Sequence, residues 1–177
     1  MSGIKYSLRQ ESTSFSIGTT NLRSSNGSLI DTNGCVALLV LSGFAVATIN
    51  FEKRILRKGD FVLLFYDSTF SMLSISAAFS VRYVSFAYHL IEEAIYKPLS
   101  INFWNTIYSN PVFRPNERDF KLLVEWWYQM EWVNNIKDYD YQEEILKNNI
   151  RNLLVATDIE IMDHAGDSLR NSRGHAW

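Results

Sequence analysis

Between Leu41 and Phe65 the chain reads Leu-Ser-Gly-Phe-Ala-Val-Ala-Thr-Ile-Asn-Phe-Glu-Lys-Arg-Ile-Leu-Arg-Lys-Gly-Asp-Phe-Val-Leu-Leu-Phe, and no other stretch constrains the fold so much. It is a succession of short β-branched and aromatic runs punctuated by two glycines. Gly43 can take the positive φ of a tight turn, and Gly59-Asp60 reads as a hairpin turn between Arg54-Ile55-Leu56 and the apolar run Phe61 to Phe65. Further runs of strand character lie near Tyr6 to Ile17, Gly27 to Thr32, Cys35 to Leu41, Phe44 to Phe51, Lys53 to Leu56, Phe70 to Ala77 and Phe79 to Ala87. Many short strands without intervening helices argue for a sandwich or closed barrel rather than a parallel sheet.

Beyond Ala87 the period becomes helical, over Tyr88 to Tyr96, Ser100 to Tyr108, Asn116 to Ile136 and Tyr141 to Ala165. Pro98 and Asn110-Pro111 end the first two, and Pro115-Asn116 opens the third. Asp138-Tyr139-Asp140 is so short a connector that the two long helices are expected to fold back as an antiparallel pair. The stretch from Gly166 onward reads as loop. The fold class is therefore α+β, divided into residues 1–98 (a barrel with an N-terminal arm), 99–166 (helices) and 167–177 (a tail).

On a helical wheel Leu146, Ile150, Leu153, Leu154, Thr157 and Ile161 share one face of the last helix, with Ile145, Val155, Ala156, Ile159 and Met162 nearly opposite. The preceding helix is likewise apolar on two sides, through Leu122, Leu123, Trp126, Trp127, Met130 and Val133 and through the row Val124, Tyr128, Trp132. A helix apolar on two sides needs two partners. The Leu146 to Ile161 face is expected to meet a second copy of the chain in a homodimer.

Charge and composition remove other functions. Formal net charge is -2; nine Lys and Arg stand against seven Asp and Glu through Ser100, and eight against twelve afterwards. With an acidic second half and no basic stripe, direct DNA binding by these residues is not expected. Cys35 is the only cysteine, beside an apolar strand, so it reads as a core thiol and no disulfide framework exists. Met1 to Asn33 is rich in Ser, Thr, Gly and Asn without an apolar segment of signal type, which makes the cytoplasm the expected location. Val36 to Ile49 falls short of the ~20 residues of a membrane helix, so no membrane partner is expected. His89, His164 and His175 are scattered, and there is no Gly-rich phosphate loop, nucleophile elbow or Cys/His dyad. No metal, no cofactor and no enzymatic activity are expected. Period-two alternation instead groups Phe79, Val81, Tyr83 and Ser85 on one strand face, and Met72 with Ser74 on one face of the strand before it.

The order of glycine turn, alternating strand, polar strand, Lys-Gly-Asp and apolar strand, carried by Gly43, Ile49, Asn50, Leu56, Lys58, Gly59 and Asp60, resembles the sensing domain of AraC-type transcription regulators. The two long helices after it extend the resemblance over about Ile30 to Ala165. It implies a cupin-like (jelly-roll) β-barrel that binds a small-molecule effector and is dimerised by its helices. It also implies that Ser42 and Tyr83 match positions lining the effector pocket of the family's arabinose-responsive member; alternation adds Met72, Ser74 and Val81 to the expected ligand-binding set. In that family DNA is bound through a C-terminal helix-turn-helix region, and this sequence stops where that region would begin. The rival reading is a stand-alone, metal-free cupin-like small-molecule binding protein.

Overall fold

A computed structural model describes residues 4–173 of the protein. Eight strands form two antiparallel sheets. The larger has the order β1 (Phe15–Thr20), β7 (Ser80–Phe86), β2 (Cys35–Ser42), β5 (Phe61–Phe65), β8 (Val112–Phe113); the smaller has the order β4 (Glu52–Arg57), β3 (Phe44–Ile49), β6 (Phe70–Ile75). Four helices follow or interleave: α1 (Tyr88–Ala94), α2 (Phe103–Ser109), α3 (Glu117–Asn134) and α4 (Tyr139–Arg173). An antiparallel sheet commonly keeps one face wet. Here the larger sheet is covered on both, which explains the unbroken apolar runs of β2 and β5. Val36, Leu38, Val40, Val62 and Leu64 pack toward the smaller sheet, while Cys35, Ala37, Leu39, Phe61, Leu63 and Phe65 pack toward the helices.

Both glycine turns exist, but neither closes a hairpin. Gly43 (φ 67°) carries the chain from β2 in the larger sheet to β3 in the smaller, and Gly59 (φ 90°) carries it back from β4 to β5. Each is a corner between layers. At Gly43 a Cβ would stand 2.5 Å from the Phe79 amide nitrogen, so the corner tolerates no side chain. The two-residue hairpin joins β3 to β4 through Asn50-Phe51, inside the single strand expected from Phe44 to Phe51. Of the expected N-terminal strands, Tyr6 and Leu29 to Ile30 make only isolated bridges, and regular pairing starts at Phe15.

The helices lie against the larger sheet and share its core, so the expected division at residue 98 cuts through one hydrophobic cluster. Within it, α1 and α4 run parallel. His89 meets Glu143 at 3.3 Å, Glu93 meets Lys147 at 2.9 Å and Arg151 donates to the Lys97 carbonyl at 2.7 Å, each pair 54 residues apart in sequence. On its other side α4 meets α3, where Trp126 Nε1 donates to the Asn149 carbonyl at 3.1 Å and Gln142 Nε2 to the Val133 carbonyl at 3.0 Å.

Two expectations are corrected here. Leu146, Ile150, Leu153, Leu154, Thr157 and Ile161 are all buried within the single chain, because α1, α2 and α3 close over that face. The side of α4 left in solvent carries Ile159 and Met162, each 49% exposed. Nor does the chain leave helical structure at Gly166: α4 continues to Arg173, since one glycine costs a helix only about 1 kcal/mol. His175 and the remainder of the expected tail lie outside the described residues.

Candidate functional site

The space between the two sheets is where a barrel of this size either holds one ligand or fills with its own side chains. Leu38, Leu56, Phe70, Met72, Phe79 and Val81 pack together there, each at most 2% exposed. Met72 and Val81, expected to line a ligand pocket, are thus part of a packed core. Ser42 Oγ donates to the Ala78 carbonyl at 2.6 Å and is spent on the corner beside Gly43. Tyr83 lies half-buried with its ring over Gly18, its directly paired residue on β1; a Cβ on Gly18 would stand 2.8 Å from the Tyr83 hydroxyl. Ser74 is exposed. Its strand shifts register across Val46 and Ala47, so Ser74 pairs with Val46 while Met72 pairs with Ala47, and the bulge reverses the alternation that would have turned both inward. The five residues are not brought together around a shared space.

A groove of about 340 Å³ opens elsewhere, between the end of β8, the first turns of α3 and the middle of α4. Asn116 starts α3 by accepting the Asp119 amide with its side chain at 2.9 Å, and so fixes where Leu122, Leu123 and Trp126 stand along one wall. Phe61 and Phe113 form the floor, their ring centroids 6.0 Å apart. Leu153, Ala156 and Thr157 of α4 form the opposite wall. Thr157 turns its hydroxyl back onto the Leu153 carbonyl at 2.8 Å, leaving a small apolar surface. Small residues on α4 facing large ones on α3 are what leave the space. Its volume falls within the range of small-molecule sites, and its lining has the mostly apolar, sparsely polar character of such sites.

The charged residues of the lining are Arg114, Asp119 and Glu160, with His164 beside them. Arg114, directly after β8, stands 3.6 Å from a carboxylate oxygen of Asp60. The other Asp60 oxygen accepts the Arg57 amide at 2.8 Å and braces the Gly59 corner, so Asp60 is held by the backbone while the Arg114 side chain remains largely in solvent. His164 pairs with Glu160 at 3.1 Å on the α4 side of the mouth. Cys35 is fully buried, and burial pushes its thiol pKa well up, leaving no nucleophile. Among the described residues no cluster of His, Cys, Asp and Glu could hold a metal ion, and no helix is long and apolar enough to cross a membrane.

The sequence held signals for this groove. The broad apolar face of α3 was visible, as was its start at Pro115-Asn116, but neither Phe113 nor Arg114 stood out, and the wheel assigned Leu153 and Thr157 to a second copy of the chain. They line a groove within the single chain instead.

No protein-family model and no curated protein matches the chain. Among solved structures, apo ToxT (variant K231A) from Vibrio cholerae strain SCE256 superposes with a TM-score of 0.55 at 16% identity, over 86% of this chain and 58% of that one. The fold is that of ToxT, an AraC-type regulator. A second ToxT structure, the wild type with an unsaturated fatty acid bound, gives a TM-score of 0.48 at 17% identity over 82% and 55% of the two chains. The chain therefore spans less than two thirds of ToxT's length, and the likeness is to its N-terminal ligand-binding part.

Proposed function

We propose that the chain is the effector-sensing portion of an AraC-type transcription regulator, with its two sheets forming a cupin-like barrel and its effector seated in the groove between β8, α3 and α4. The observation that carries this reading is an open apolar groove of about 340 Å³ beside Arg114, on a fold whose barrel interior is filled by its own side chains. An apolar body would replace water along Leu122, Leu123 and Trp126, contributing about 25 cal/mol per Å² buried, and an anionic group would meet the Arg114 guanidinium at the mouth. ToxT has been solved with an unsaturated fatty acid bound, a ligand of the same chemistry. Because the groove lies between two helices, a ligand that fits one spacing of α3 and α4 better than another shifts their equilibrium by that difference in affinity. DNA binding belongs, on this reading, to a region outside these residues, and dimerisation to the exposed Ile159 and Met162 side of α4.

The test is calorimetric titration with oleate below its micellar concentration, with oleyl alcohol as the uncharged control. Oleate is expected to bind with one-to-one stoichiometry, Leu123→Trp to abolish the heat by filling the groove, and Arg114→Ala to weaken binding about tenfold, as for one charge-assisted contact of ~1.4 kcal/mol. Saturation should also raise the unfolding free energy, by about 2.7 kcal/mol at a hundred times Kd. Absence of binding, or binding that both variants leave unchanged, would remove the groove as the effector site.

A further inference from the structure

The geometry points to a second binding surface, a β-addition site on the free edge of β4 that takes an extended acidic peptide from a partner protein. Two strand edges face each other across an open cleft of about 1280 Å³: β4 ends the smaller sheet and β8 ends the larger, and Lys53, Arg54 and Ile55 of the first and Val112 of the second line the space between them. The register says which backbone groups point into it. In a two-residue hairpin the flanking pair, here Ile49 and Glu52, is hydrogen-bonded, and bonding then alternates along the strands through Ala47–Arg54 and Ala45–Leu56. Lys53 and Ile55 therefore turn their N–H and C=O groups away from β3, toward the cleft. On β8, Leu63 N donates to the Pro111 carbonyl at 3.0 Å, so the next residue, Val112, turns its peptide groups to the opposite, open side.

Such an edge invites pairing with another chain. At one end it is already closed by the protein itself: Asn50 Nδ2 donates to the Tyr108 carbonyl at 2.8 Å and Arg54 Nη2 to the Ser109 carbonyl at 2.6 Å, tying the β3–β4 hairpin to the end of α2. Beyond that tie the two edges stand apart.

Charge selects the occupant. The lining includes the cations Lys53, Arg54 and Arg114 and not one Asp or Glu, although Arg114 also stands 3.6 Å from Asp60 outside the lining. Lys53 forms no ion pair among the described residues. Arg54 pairs with Glu52 at 2.9 Å yet keeps a buried Nε with no hydrogen-bond partner. Asn102, Asn105 and Asn110 add amide groups along the α2 side. An extended segment with acidic side chains at alternate positions satisfies both the outward backbone groups of β4 and these cations; a basic segment meets the backbone but repels the cations, and a polyproline segment has no N–H to give the edge.

The experiment is selection from a random twelve-residue peptide library displayed on phage, followed by synthesis of the enriched peptides. Affinity is read by fluorescence polarisation and location by amide hydrogen exchange. Acid-rich peptides are expected, with slowed exchange at Lys53 and Ile55. Lys53→Glu should weaken them at least tenfold, and Ile55→Pro, which removes the outward N–H, should abolish binding while its circular dichroism stays that of the wild type. Neither residue lines the 340 Å³ groove, so oleate titration of both variants should match the wild type and keeps the two sites distinguishable. Enrichment without acidic residues, protection confined to other segments, or undiminished binding to Lys53→Glu overturns the proposal. If Ile55→Pro does not fold, Lys53→Glu alone decides.

Discussion

Asn50 and Phe51 both have positive φ, 51° and 68°, in the turn that joins β3 to β4. A turn of that kind favours Asn-Gly, and an L side chain in the left-handed region costs roughly 1–2 kcal/mol. The Asn50 side chain offsets part of this by accepting the Thr69 amide at 3.0 Å, whereas Phe51 is 81% exposed. Phe51→Gly is therefore expected to raise the unfolding free energy by about 0.5–1 kcal/mol, the relief of strain less the entropy of the glycine, as read from the midpoint of urea unfolding. Gly43→Ala should do the opposite and cost more than ~1 kcal/mol, because φ is positive and the Phe79 backbone occupies the place of the new Cβ. These residues also mark what a sequence displays at this scale. Gly43 and Gly59 were legible as turns because glycine advertises a positive φ; which strands they join was not, because a corner and a hairpin demand the same conformation. Asn50-Phe51 lacks the glycine that would have announced it, and the bulge that turns Ser74 outward leaves no mark in composition.

Helix periodicity locates faces without saying what covers them, and α4 shows the consequence. Its Leu146 to Ile161 stripe was visible as a face, but that α1, α2 and α3 all fold onto it depends on contacts between helices distant in sequence. Leu153, at 6% exposure, and Ile159, at 49%, separate core from surface. Leu153→Glu is expected to unfold the protein, a buried unpaired charge costing several kcal/mol. Ile159→Glu should leave stability within about 0.5 kcal/mol and, where the outer side of α4 holds two copies together, halve the mass measured by light scattering. The α1–α4 contact gives a prediction about pH. A hydrogen bond from Lys147 holds the Glu93 carboxyl below its ordinary pKa of 4.5, so the stabilisation is present above that value and is lost as pH falls below it through the lowered folded-state pKa. Lys147→Met should therefore differ from the wild type in urea midpoint at pH 7, with the difference fading once the pH falls far enough below 4.5 to protonate Glu93 in the folded protein. Both groups face solvent, so the effect is small and salt should shrink it further.

At the scale of the whole molecule the decisive fact is that the larger sheet is buried on both faces, by the smaller sheet on one side and four helices on the other. The α+β class, the succession of strands before helices and the likeness to an AraC-type sensing domain could all be read from residue order, although one of the expected strand runs, Gly27 to Thr32, makes only isolated bridges. The site could not, since it forms where β8, a two-residue strand lying within the helical half of the sequence, brings Phe113 and Arg114 beside α3 and α4. That groove borders a helix whose last buried residue among those described is Ile161 and which runs on to Arg173, with every described side chain from Met162 to Asp167 exposed. Twelve residues of helix amount to roughly 18 Å. A helix end of that length would act as a lever with its fulcrum at the groove: a tilt of about 10° there would carry the far end through roughly 3 Å over that length.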